Sequence, residues 1–93
     1  MANPFANIES VTVSVSRSSL ISEVRWTRNN PGITKDPTGN LVLTFKGDEE
    51  RNGERYEYIS VPSTILQGML VAKSIGKFFH EHIVHNYVTY KGV

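Results

Sequence analysis

Residues 55–87, RYEYISVPSTILQGMLVAKSIGKFFHEHIVHNY, pass from an alternating strand through a proline into two stretches of helix-spaced apolar residues. Pro62 has no N–H to donate to a ladder, so the strand over residues 55–61 ends there. Ser63 reads as the N-cap of a helix over about residues 64–73. Ile65, Leu66, Met69, Leu70 and Ala72 form its apolar stripe, at the spacing of a helix lying on a sheet. Gly68 between them lets backbone approach closely. Ser74, Ile75 and Gly76 break the helix. Residues 77–85 then form a second one, with Phe79 and Ile83 on a shared face and Ser74 as its N-cap.

Helices striped on one side need a sheet to cover, and the preceding chain supplies it. Residues 11–15 (VTVSV) alternate apolar and hydroxyl side chains, the period of a half-buried strand. Residues 21–27 (ISEVRWT) resume the alternation, with Val24 and Trp26 on one face and Glu23 and Arg25 on the other. Ser18 and Ser19 between them read as a kink or tight turn. Residues 28–40 (RNNPGITKDPTGN) carry Pro-Gly, Asp-Pro and Gly-Asn and read as a loop. Leu41, Leu43 and Phe45 share one side of the next strand. Residues 46–54 (KGDEERNGE) make a long, charged hairpin connection, and residues 87–90 (YVTY) add a short last strand.

The sequence therefore predicts an α+β domain, an antiparallel three- to four-stranded meander with two short helices packed on one face. Its core takes Val24, Trp26, Leu41, Leu43, Phe45, Tyr56 and Tyr58 from the sheet. Ile65, Leu66, Met69, Leu70, Phe79 and Ile83 come from the helices. Glu23, Arg25, Thr44, Lys46 and Glu57 are left on the solvated side. At 93 residues there is room for one domain, over residues 11–93, with residues 1–10 as a flexible arm. No leader pattern opens the chain and no apolar run reaches membrane length, so a cytoplasmic protein is expected.

Several functions can be weighed on residue types. With no cysteine, thiolate catalysis, disulfides and Cys-based metal sites are excluded. Ser74 and Lys77 match the Ser-x-x-Lys spacing of a serine nucleophile, but no partner motif accompanies them, so no catalytic residue is expected. His80, His82 and His85 miss the His-Glu-x-x-His spacing, and on a helix His80 and His82 point about 200° apart, so neither metal nor cofactor is expected. Tyr56 and Tyr58 either stack bases from the sheet face or lie under the helices. Their alignment with Trp26 and Phe45 favours the core. A helix start opened by Ser74 and Gly76 and flanked by Lys73 and Lys77 suits an anion. Arg55 and Lys91 fall near the same break in the helices. The net charge of +1 confines any phosphate contact to such a local patch.

Taken in order, Arg17-Ser18-Ser19-Leu20, the strand ending at Trp26, Leu41-Val42-Leu43-Thr44-Phe45, Tyr56-Glu57-Tyr58, Val61-Pro62, the run from Ala72 to Phe79 and the run from Ile83 to Tyr87 resemble the KTSC domain. That small module is named for the C-terminal end of some lysyl-tRNA synthetases, and it also stands alone in bacteria and their viruses. The resemblance covers roughly residues 16–90. The chain departs from the family in longer loops around Pro31 and Asp48. It also carries His80 and His82 where Asn is common, and Val84 where Arg is common. The family is of unknown function, with RNA binding suggested by its company.

The resemblance implies the α+β fold and a non-enzymatic binding module. Together with the helix start it points to RNA or single-stranded DNA, held through Arg55, Lys73, Ser74, Gly76, Lys77 and Lys91. The alternative is a phage or bacterial accessory protein that blocks or sequesters a protein or nucleotide partner.

Overall fold

The computed structural model describes residues 8–29, 36–46 and 53–92. They form β1 (Ser10–Ser14), β2 (Ile21–Arg28), β3 (Thr38–Phe45), β4 (Arg55–Pro62), α1 (Ser63–Val71), α2 (Ile75–His82) and β5 (Thr89–Lys91). The five strands make one antiparallel sheet in chain order, one strand more than the longer of the expected meanders. The first and last strands form its two edges. β1 sets Val11 and Val13 beside Trp26 and Val24, which extends the apolar face. β5 pairs with the outer side of β4, and Ile59 N–H to the Val88 carbonyl (2.9 Å) and Gly92 N–H to the Arg55 carbonyl (2.8 Å) continue that ladder. Residues 1–7 of the expected arm, 30–35 of the expected loop and 47–52 of the hairpin tip lie outside the described residues.

The turn between β1 and β2 is held by Ser18. Its hydroxyl oxygen accepts from the amides of Leu20 and Ile21, both at 3.1 Å, and so replaces backbone partners in a tight turn. β3 begins at Thr38, three residues before Leu41, because Gly39 lets the backbone cross the Trp26 indole. A Cβ at Gly39 would collide with that ring. The buried indole N–H donates to the Val61 carbonyl at 3.0 Å, which ties β2 to β4 across the strand between them.

The start of α1 corrects the expected cap. Pro62 is the last strand residue and the N-cap position, and it makes no side-chain cap bond. Ser63 is the first helical residue and is fully buried. Asp36 does the capping from a distant segment. Its Oδ1 accepts from the Thr64 amide (3.0 Å) and the Ser63 hydroxyl (2.8 Å), and its Oδ2 accepts from the Thr64 hydroxyl (2.8 Å). A carboxylate at a helix N-terminus also meets the positive end of the dipole.

The core lies between the sheet and the two helices, as the faces require. Val24, Trp26, Leu41, Leu43, Tyr58, Leu66, Met69, Phe79 and Ile83 are buried. Ile21, Val61 and Ile75 join them, and Phe45, Tyr56, Ile65 and Leu70 pack on the cluster half-buried. The Phe79 ring meets Phe45 and Tyr58 edge-on at 5.4 and 5.7 Å, so α2 is anchored over β3 and β4. No helix among the described residues is long and apolar enough to cross a membrane.

Candidate functional site

The break between the helices brings the negative end of α1 beside the positive end of α2. Helix α1 stops at Val71, and its last carbonyls lack intrahelical partners. Arg17, on the β1–β2 turn, meets one of them and the two carbonyls that follow the helix. Its Nη1 donates to the Ala72 carbonyl at 2.7 Å and to the Lys73 carbonyl at 3.4 Å, and its Nη2 to the Leu70 carbonyl at 2.9 Å. A guanidinium there offsets the carbonyl end of the α1 dipole. It thereby reduces the repulsion that an anion at the neighbouring α2 start would feel.

Helix α2 opens as expected. Ser74 is extended (φ −127°, ψ 107°), and its Oγ accepts from the Lys77 amide at 3.2 Å. The amides of Ile75 and Gly76 precede any intrahelical acceptor. Ser74, Lys73 and Lys77 are exposed, and the Lys77 ammonium reaches Glu81 at 3.9 Å, a loose surface pair.

Gly76 stands apart from other glycines of the fold. Gly39 is required by Trp26. Gly68 is required by α2, since a Cβ there would come within 2.9 Å of the Phe78 ring. At Gly76 the nearest atom to an added Cβ is Leu20 Cδ2 at 3.5 Å, an ordinary contact, and the backbone is not left-handed. Packing and conformation leave this helical glycine unexplained, although glycine costs about 1 kcal/mol against alanine inside a helix.

Arg55 and Lys91 are not part of this cluster. They lie on β4 and β5, at a surface depression of about 300 Å³ shared with Gly53, Glu54 and Gly92. Lys91 pairs there with Glu54 at 3.4 Å. Arg55 sits opposite Thr44 in the ladder and alternates with Tyr56, so it leaves the sheet on the side away from the helices. Strand alternation therefore separates two residues that proximity in sequence to the helix break had grouped with it. The site keeps Lys73, Ser74, Gly76 and Lys77 and gains Arg17. The signal for Arg17 was a lone charge in a small polar turn, with no carboxylate near it in sequence.

The tyrosines belong to the core side. Tyr58 is 3% exposed and Tyr56 is half-buried against Phe45, edge-on at 5.4 Å. Burial, and after it the neighbouring Tyr56, push the Tyr58 phenol up to about 12. Neither ring offers an open stacking platform. The histidines spread along the end of α2. His80 and His82 are exposed, with the His82 ring on Phe78 at 4.4 Å and its Nε2 3.8 Å from Glu81. Helix α2 ends at His82, so His85, at φ +69°, lies beyond it and shares no helical face with His82.

A family model for the KTSC domain matches residues 35–87, more than half of the chain. The chain belongs to the KTSC family. A crystal structure of a KTSC domain protein from Yersinia pestis superimposes with a TM-score of 0.66 at 25% identity, covering 90% of this chain and 99% of that one. No curated protein matches. The family match contains β3, β4 and both helices but neither β1 nor Arg17, whereas the structural likeness extends over most of this KTSC domain.

Proposed function

We propose that this KTSC domain is a non-enzymatic, cytoplasmic binding module that holds a phosphate of RNA or single-stranded DNA at the start of α2. The observation that carries the reading is Gly76, a helical glycine that neither packing nor backbone conformation requires, between Ser74 and Lys77. The amides of Ile75 and Gly76 contact the phosphate, the dipole favours it, and Lys73 and Lys77, the latter only loosely paired with Glu81, supply the nearest cations. Nucleophilic chemistry at Ser74 is disfavoured because its oxygen caps the Lys77 amide while the Lys77 ammonium is directed to Glu81.

The test is fluorescence anisotropy on short RNA and DNA oligomers across a salt series, with wild type, Lys73→Ala and Lys77→Ala. Affinity of the wild type should fall steeply with salt, and each variant should reduce the slope by about one with little change in sequence preference. No binding by the folded wild type at low salt would sink the nucleic-acid reading in favour of a bacterial or phage module that sequesters a protein or nucleotide partner. Binding that both variants retain would move the site to Arg25 and Lys46 on the open side of the sheet.

A further inference from the structure

The two edges of the sheet are treated differently. β5 is three residues long and carries Lys91, the short, charged form of edge that resists pairing. β1 runs without a charge, proline or glycine from Ser10 to Ser16. Its ladder with β2 is extended at both ends, by the Arg28 amide to the Glu9 carbonyl and the Val15 amide to the Ser22 carbonyl, each at 2.8 Å. Those bonds fix the parity of the strand. Residues 9, 11, 13 and 15 turn their backbone groups to β2, so Ser10, Thr12 and Ser14 turn theirs outward. Among the described residues no strand pairs with that side.

Apolar surface accompanies the edge on the helical side. Val11 and Val13 are half-buried, and a cleft of about 130 Å³ runs beside Val13 and Val15 to Leu70 and Ile75. Val71, the residue after Leu70, is 75% exposed.

We infer that β1 is the interface for a second copy of this chain, which adds its own β1 antiparallel about a two-fold axis at Thr12. The segment SVTVS is self-complementary in that arrangement, which is why a copy suits it. Ser10 falls opposite Ser14 of the second copy and Thr12 opposite Thr12, giving about six backbone hydrogen bonds at two per hydrogen-bonded pair. Hydroxyls meet hydroxyls on the open face, valines meet valines on the helical face, and no like charges oppose. The interface is isologous and closes at two copies, joining the sheets into one of ten strands. This inference is independent of the phosphate site.

Sedimentation equilibrium on the full chain should give about 20.8 kDa, twice the 10.4 kDa of one chain, at micromolar concentration. Thr12→Lys, at an exposed position whose amide serves no bond to β2, should sediment as a monomer with an unchanged circular dichroism spectrum. As a second measure, Thr12→Cys provides the protein's sole thiol. Mild oxidation should link it into a disulfide dimer, because paired Cα atoms about 5.5 Å apart are within disulfide reach. Thr89→Cys on the other edge should stay monomeric in the same oxidant. A wild type of 10.4 kDa up to millimolar concentration, or a Thr12→Cys protein that links no faster than Thr89→Cys, would overturn the inference.

Discussion

Asp36 shows how one side chain joins distant segments. Partial burial pulls its carboxyl up, but hydrogen bonds from Thr64 and Ser63 outweigh that and hold it below the ordinary aspartate value. A carboxyl lowered by folding contributes stability above its unfolded pKa, and that contribution is lost as pH falls through the folded value. Urea unfolding should therefore find wild type losing stability below about pH 4, with Asp36→Ala losing less over the same range. At pH 7 Asp36→Ala should cost about 0.5–2 kcal/mol, as for a lost N-cap. Equal acid sensitivity of the two proteins would remove Asp36 from this role. Tyr58 has the opposite sign. Its phenol, raised to about 12, keeps its proton where the unfolded chain has lost it, so stability is present below about pH 10 and falls between there and 12. Burial, and after it Asp36, also raise the Tyr87 phenol, so tyrosinate absorbance should show a late component that is reduced, and loses its part near pH 12, in Tyr58→Phe.

At the scale of elements, the break between α1 and α2 rests on two devices of different origin. Ser74 caps α2 from within the helix, and Ser74→Ala should lower stability by about 0.5–2 kcal/mol. Arg17 caps α1 from the β1–β2 turn, using two guanidinium nitrogens on three carbonyls. Arg17→Lys should not restore what Arg17→Ala loses, because an ammonium lacks the planar fork. Hydrogen exchange should report faster opening at the end of α1 in both. Gly76→Ala separates fold from ligand. The added methyl finds an ordinary contact with Leu20, so stability should rise by about 0.4–1 kcal/mol. On the phosphate reading, the same variant should weaken oligonucleotide binding. Destabilisation in denaturant titration would show that the fold itself needs this glycine.

For the whole molecule, the decisive contacts are those of the helices with the sheet. Leu66 is fully buried, and Leu66→Ala should cost about 2–5 kcal/mol. Leu70, half-buried beside the cleft along β1, should cost clearly less. Equal losses in thermal or denaturant melts would contradict this placement of α1. Trp26 acts at the same scale. Its ring lies against Gly39 and its N–H holds Val61, so three strands meet on one side chain.

Most of the fold was legible in the sequence because periodicity is a local property. Alternation around Trp26, Leu43 and Tyr58 and the stripe from Ile65 to Leu70 fix which side of each element is buried, whatever the neighbours are. Ser74 was legible as a cap for the same reason, since a cap and its amide lie three residues apart. The rest depended on partners distant in sequence. Ser63 looked like a cap until Asp36, 27 residues earlier, took that role. Arg17 had no visible function until folding set it 55 residues away, against Ala72. Arg55 looked close to the helix break along the chain, and alternation carried it to the other face of the sheet. Local patterning determined the elements and their faces; the meeting of charges and helix ends was decided only when the sheet closed under the helices.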